Sequence, residues 1–200
     1  MLQAFTAGLL LITVSELGDK TFFIAFILAI KYSRKLVFSG VMAALVAMTV
    51  ISVLVGQVVS LLPRSYIHYA AIILFIGFGL KLLHEASQMP NKSDRNEAQA
   101  TAALLDRSQN RTSIGVLIEA FVLTFLAEWG DRTQIATITL AASNNSLGVT
   151  AGAILGHGIC TAIAVVGGRL IAGRISERTV TAIGGCLFLI FAAVSLFENI

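Results

Sequence analysis

The chain has 200 residues, of which 56% are hydrophobic and only 12% charged, with a mean hydropathy of +0.87. Soluble domains carry about a quarter charged residues, so the composition excludes an ordinary soluble enzyme or binding module and implies an all-α polytopic membrane protein. The net charge of +3 and pI near 9.1 do not indicate nucleic acid, because the cations collect at the ends of apolar runs.

Six such runs follow one another, at 4–30, 36–62, 66–84, 114–142, 147–172 and 179–198. Each is long enough to cross a hydrocarbon core of about 30 Å. The first is read as a spanning helix and not a signal peptide, since residues 1–15 hold no Lys or Arg and so make no basic leading region. Spans two and five are rich in small residues (Gly40, Ala43, Ala44, Ala47 and Gly56; Gly148, Gly152, Gly156, Gly158, Gly167 and Gly168). Gly152 and Gly156 form the GxxxG step that lets helices approach closely in lipid. The stretch 85–113 is polar and reads as a linker, with a short helix over 97–107. Cys160 and Cys186 fall in spans without metal-ligand spacing and read as small buried apolar residues.

Of the 14 Lys and Arg, Lys20 and Arg132 lie within spans and Arg64 alone follows the second span. The other eleven lie at three connections, as Lys31, Arg34, Lys35; Lys81, Lys92, Arg95, Arg107, Arg111; and Arg169, Arg174, Arg178. Six spans put those connections on one side, which the positive-inside rule makes cytoplasmic, with both termini opposite.

Two stretches inside spans one and four nearly coincide. They are Glu16-Leu17-Gly18-Asp19-Lys20-Thr21 and Glu128-Trp129-Gly130-Asp131-Arg132-Thr133, 112 residues apart. The same offset pairs Leu11 with Leu123, Leu28 with Leu140, Gly40 with Gly152 and Gly56 with Gly168. The chain therefore divides into a first repeat (1–84), a cytoplasmic linker (85–113) and a second repeat (114–200). Three spans per repeat force opposite orientations, the 3+3 inverted repeat that places a substrate site near the midplane.

Each charge at that depth costs at least ~2.5 kcal/mol on insertion scales, so the doubled motif requires a function. On a continuous helix, residues three and four apart share a face, which groups Glu16, Asp19 and Lys20, and likewise Glu128, Asp131 and Arg132. Thr13 and Thr124 extend each polar stripe. Gly18 and Gly130 allow close approach or local unwinding, which frees backbone carbonyls as ligands. Four carboxylates against Lys20 and Arg132 leave a formal charge of −2, which one divalent cation or two protons neutralise. Carboxylates, Thr hydroxyls, Gln134 and carbonyls are hard oxygen donors suited to Mn²⁺, Ca²⁺ or Mg²⁺.

Other readings are weaker. Salt bridges Glu16–Lys20 and Glu128–Arg132 that only hold the halves together leave Asp19 and Asp131 without partners. An intramembrane aspartyl protease expects Gly where Glu16 and Glu128 stand. A divalent cation channel is the non-carrier alternative. His157 falls opposite Leu45 in the repeat alignment and breaks its symmetry, as a hydrogen-bonded structural residue or a proton relay. Glu119 reads as an interfacial charge, Glu85 and Glu198 as solvated span ends, and Trp129 as a packing residue near the site.

The doubled Glu-x-Gly-Asp-[Lys/Arg]-[Ser/Thr] motif in a six-span chain resembles the Gdt-type divalent cation/proton exchangers, and within them the cyanobacterial manganese exporters. The resemblance implies a transporter, not an enzyme, with no resident cofactor. Mn²⁺ or Ca²⁺ would leave the cytoplasm in exchange for H⁺. It further implies that Glu16, Asp19, Glu128 and Asp131 hold the metal. Thr21 and Thr133 would then be supporting polar groups, and Lys20 and Arg132 charge-tuning partners. The expected partners are the cation and the lipid bilayer. The short N-terminus implies a prokaryotic plasma or thylakoid membrane.

Overall fold

The computed structural model describes residues 1–17, 19–88, 112–167 and 177–197, and among these it contains helices and no strand. The helices are α1 (Leu2–Glu16), α2 (Lys20–Lys31), α3 (Arg34–Val59), α4 (Arg64–Gln88), α5 (Ser113–Glu128), α6 (Arg132–Ser143), α7 (Ser146–Ala162, continued by a π-helical stretch Ile163–Gly167) and α8 (Glu177–Phe197). Gly18, Gly168, Glu198, the cations Lys92, Arg95, Arg107, Arg111, Arg169 and Arg174, and the expected helix over 97–107 lie outside the described residues.

α3, α4 and α7 with its π-helical stretch are long and apolar enough to cross a bilayer. The expected first and fourth spans are each two helices broken at the motif. α5 and α6 meet at 72°, so together they make a broken span. α1 and the 181–197 part of α8 are shorter apolar helices. The breaks follow from the local chain. Leu17 and Trp129 leave the helix with ψ 113, and Gly130 takes φ +80, a left-handed conformation that glycine adopts at low cost. Asp19 and Asp131 then stand at the N-caps of α2 and α6.

Packing relies on small residues, as expected where lipid removes the hydrophobic drive between helices. Gly148, Gly152 and Gly156 of α7 meet Ala4, Phe5 and Thr13 of α1 in rising order, so these helices run parallel. α3 runs parallel to the broken helix α5–α6 in the same way, through Gly40 at Leu117 and Gly56 at Ile138. A Cβ on Gly40 would lie 2.6 Å from the Leu117 carbonyl oxygen, and one on Gly152 would collide with that of Phe5. Both the glycines and the carbonyls are 112 residues apart in sequence. α4 and α8 pack antiparallel, with Phe75 and Phe78 against Phe188 and Gly79 against Gly185. That pair leans on α1 and α6.

The outer surface is apolar. Ile114, Ile118, Val122 and Leu126 form a stripe at every fourth position along α5, each exposed, a face suited to lipid. Cys186 departs from expectation: it lies on the exposed side of α8, whereas Cys160 is buried, and both are free thiols. A small residue facing lipid and one facing the core look alike in sequence.

Candidate cation site

Glu16 closes α1 and Glu128 closes α5. Both are buried, 2% and 3% exposed, and each sits at a helix C-terminus, where the dipole favours a cation. Thr21 Oγ1 donates to Glu16 Oε2 at 2.8 Å, and Thr133 Oγ1 donates to Glu128 Oε2 at 3.1 Å. Each motif thus bends back so that its Thr hydroxyl fixes one oxygen of its own Glu. The remaining oxygens, Glu16 Oε1 and Glu128 Oε1, are enclosed and accept no hydrogen bond among the described residues.

One carboxylate oxygen from each of Glu16, Asp19 and Glu128 falls within 4.8 Å of the other two. Three oxygens at that spacing can converge on one hard cation, whose ligand distances run about 2.1–2.6 Å. Asp131 is not in this group. It is partly buried, and its Oδ2 lies 3.5 Å from Thr133 Oγ1.

Arg132 crosses between the halves. Its Nη2 donates to Asp19 Oδ1 at 2.7 Å, with the side chains 22% and 13% exposed. This corrects the expectation that Glu128, Asp131 and Arg132 cluster on one helical face, and it leaves no place for the alternative Glu128–Arg132 bridge. The helix stops at Glu128, so the four-residue spacing no longer makes neighbours. Lys20 is exposed. The three clustered carboxylates and Arg132 together carry a formal charge of −2.

The remaining predicted residues serve the surroundings. Gln134 Oε1 accepts from Gly130 N–H at 2.7 Å, so this amide secures the break. Thr13 and Thr124 present enclosed hydroxyls that find no hydrogen-bond partner among the described residues. Trp129 is 61% exposed and packs on Phe125 at 5.5 Å. Glu119 is partly buried on α5, and Glu85 pairs with Lys81 at 3.8 Å on the surface. His157 is 4% exposed, with Nδ1 3.8 Å from Glu16 Oε1. The sequence flags His157 through its broken symmetry but does not tell which residue it faces.

The GDT1 divalent cation/proton antiporter family matches residues 4–90 and 116–200. The chain belongs to that family. A GDT1-like protein of Synechocystis sp. is 57% identical over 205 residues, covering all of both chains. GDT1-like protein 3 of Oryza sativa subsp. indica is 43% identical, over 98% of this chain and 75% of its own. The chloroplastic PAM71-homolog protein of Arabidopsis thaliana is 40% identical, over 98% of this chain and 59% of its own. No solved structure matches the chain. Membership of the GDT1 family makes this chain a membrane transporter of divalent cations and protons, which removes the aspartyl-protease reading.

Proposed function

We propose that this GDT1-family chain exports Mn²⁺, or Ca²⁺, from the cytoplasm in exchange for protons at a site built by Glu16, Asp19, Glu128 and Asp131. The carrying observation is the gathering of Glu16, Asp19 and Glu128 oxygens within 4.8 Å, at breaks in two helices from different halves of the chain. The enclosed, unpartnered oxygens of Glu16 and Glu128 are the donors that a cation would satisfy. All side-chain donors there are hard oxygens, which favours Mn²⁺, Ca²⁺ or Mg²⁺ over soft metals.

Coupling follows from charge. A net −2 in a low-dielectric setting is costly, and one divalent ion or two protons remove it. Binding of one is therefore antagonistic to binding of the other. Asp131, at the edge of the cluster, is the fourth acid and joins the ligand set or takes a proton as the halves move. Arg132 holds Asp19 aimed at the cluster, Lys20 tunes the charge, Thr21 and Thr133 hold the two Glu, and Gly18, Gly130 and Gln134 serve the breaks.

The reading also includes a 3+3 inverted repeat, 1–84 and 114–200, joined by a cytoplasmic linker, 85–113. Support comes from the matched pair of close approaches 112 residues apart and from the two segments of the family match. The excess of cations at three connections supports export toward the side bearing the termini. A cavity of about 290 Å³ on that side, between α1, α4, α6 and α8 and lined by Gln3, Thr6, His68, Thr139 and Ser143 among others, supports a polar exit path. The membrane is a prokaryotic plasma or thylakoid membrane.

Proteoliposomes holding the purified full chain and a pH dye test this. Mn²⁺ flux should follow an imposed proton gradient and should itself move protons. Metal flux indifferent to the gradient, or unitary channel currents, would overturn the exchanger.

A further inference from the structure

Beside Glu16 the structure holds one more group that the proposed site does not use. A cavity of about 10 Å³ lies between Glu16, His157 and Thr161 and the apolar side chains of Phe22, Val41 and Leu45. Glu16 Oε1 and His157 Nδ1 stand 3.8 Å apart, beyond direct hydrogen-bond reach. Both atoms are enclosed, and neither has a hydrogen-bond partner among the described residues. His157 does not join the carboxylate group whose atoms lie within 4.8 Å of one another, so it flanks Glu16 instead of facing the centre. About 10–15 Å³ is the least space that holds one water, which needs two or more polar partners, and here Glu16 Oε1 and His157 Nδ1 offer two.

We propose that His157 is a positioning residue of the cation site: through a single buried water in this cavity it holds Glu16 Oε1, while Thr21 holds Oε2. The proposal rests on the cation-site reading above. A carboxylate that ligates a metal has its direction fixed by the groups behind it, and losing such a group typically weakens metal binding about 10–100-fold. His157 supplies this support to one half-site alone. The repeat-related position is Leu45, an apolar residue that lines the same cavity and can hold no water for Glu128. The proposed water thus gives Glu16 a support that the repeat-related position does not offer Glu128.

The test is Mn²⁺ affinity of the purified full chain, read from the free-Mn²⁺ EPR signal, together with the KM and maximal rate of uptake in proteoliposomes. H157L installs the residue of the other repeat and should weaken Mn²⁺ affinity and raise KM by about tenfold or more, with the maximal rate less affected. H157Q keeps a polar atom near the water and should return affinity to within about threefold of wild type. The H157L effect should be strongly non-additive with E16D and additive with E128D, a pattern that a general packing defect would not produce. H157A carries the same expectation if H157L does not accumulate. Unchanged affinity in H157L and H157A, failure of H157Q to rescue, or equal coupling to both Glu positions would overturn the proposal. Wild-type protein that binds no Mn²⁺ would overturn the cation-site reading itself, whereas wild-type binding with an indifferent H157L overturns only the role of His157.

Discussion

In the first half-site Glu16 accepts from Thr21 at 2.8 Å and has His157 at 3.8 Å, and Asp19 is bound by Arg132 of the other half. In the second, Glu128 accepts from Thr133 at 3.1 Å, the residue aligned with His157 is Leu45, and Asp131 lies outside the cluster beside Thr133. The motifs are nearly identical in sequence, so the inequality comes from what packs around them. A cation held by Glu16, Asp19 and Glu128 would take two ligands from one half and one from the other. Duplicated motifs thus do not imply a symmetric site.

The sharpest test of that comparison is removal of the two proposed Glu ligands. E16Q and E128Q should each lower Mn²⁺ uptake by more than about a hundredfold, beyond the usual effect of a supporting group. Full transport by either variant would break the proposed site. Asymmetry enters with the acids: D19N should approach that loss, while D131N should lose less, measured in the same proteoliposome assay. Equal losses would show that Asp131 reaches the ion in another state of the cycle.

Next come the cations. R132A leaves Asp19 largely buried without its partner and should destabilise the protein by ~3 kcal/mol, seen as a fall in thermal midpoint in detergent. K20A, removing an exposed charge, should stay within about 1 kcal/mol of wild type. Equal effects would contradict the crossed Asp19–Arg132 pairing.

Packing variants follow. G40A and G152A each push a methyl group into a neighbouring carbonyl and should cost ~2 kcal/mol, whereas Gly77 has open space around it and G77A should be neutral or better. The hydroxyls give the most local test. T21V and T133V each remove one hydrogen bond to a Glu, ~1–3 kcal/mol if the carboxylate is charged, read as a rise in the KM for Mn²⁺. On the support proposed for Glu16 from His157, T133V should be the more damaging of the two.

Much of the fold is legible in sequence because bilayer thickness sets span length. The ends expected at 36–62 and 66–84 fall close to α3 and α4, and 147–172 begins one residue from α7. The glycine before each Asp marks where unwinding is allowed, and Gly130 takes the positive φ that only such a residue adopts easily. Pairing was less legible. Spacing of four makes Glu128 and Arg132 neighbours only if the helix continues, and it ends between them. Nor does hydropathy separate Cys186, which is exposed, from Cys160, which is buried, since lipid and core present the same apolar environment to a small side chain.

By itself the sequence determined the chemistry: which residues are apolar enough to span, where charge is concentrated, and that the charged motif occurs twice with hard oxygen donors. Those properties are local and additive, and they follow from composition and spacing. Tertiary structure decided the partners. Only the parallel packing of α1 on α7 and of α3 on α5–α6 sets Asp19 against Arg132 and His157 against Glu16, 113 and 141 residues apart in the chain. Contacts between distant segments depend on how broken helices dock, and two equal motifs become unequal half-sites there.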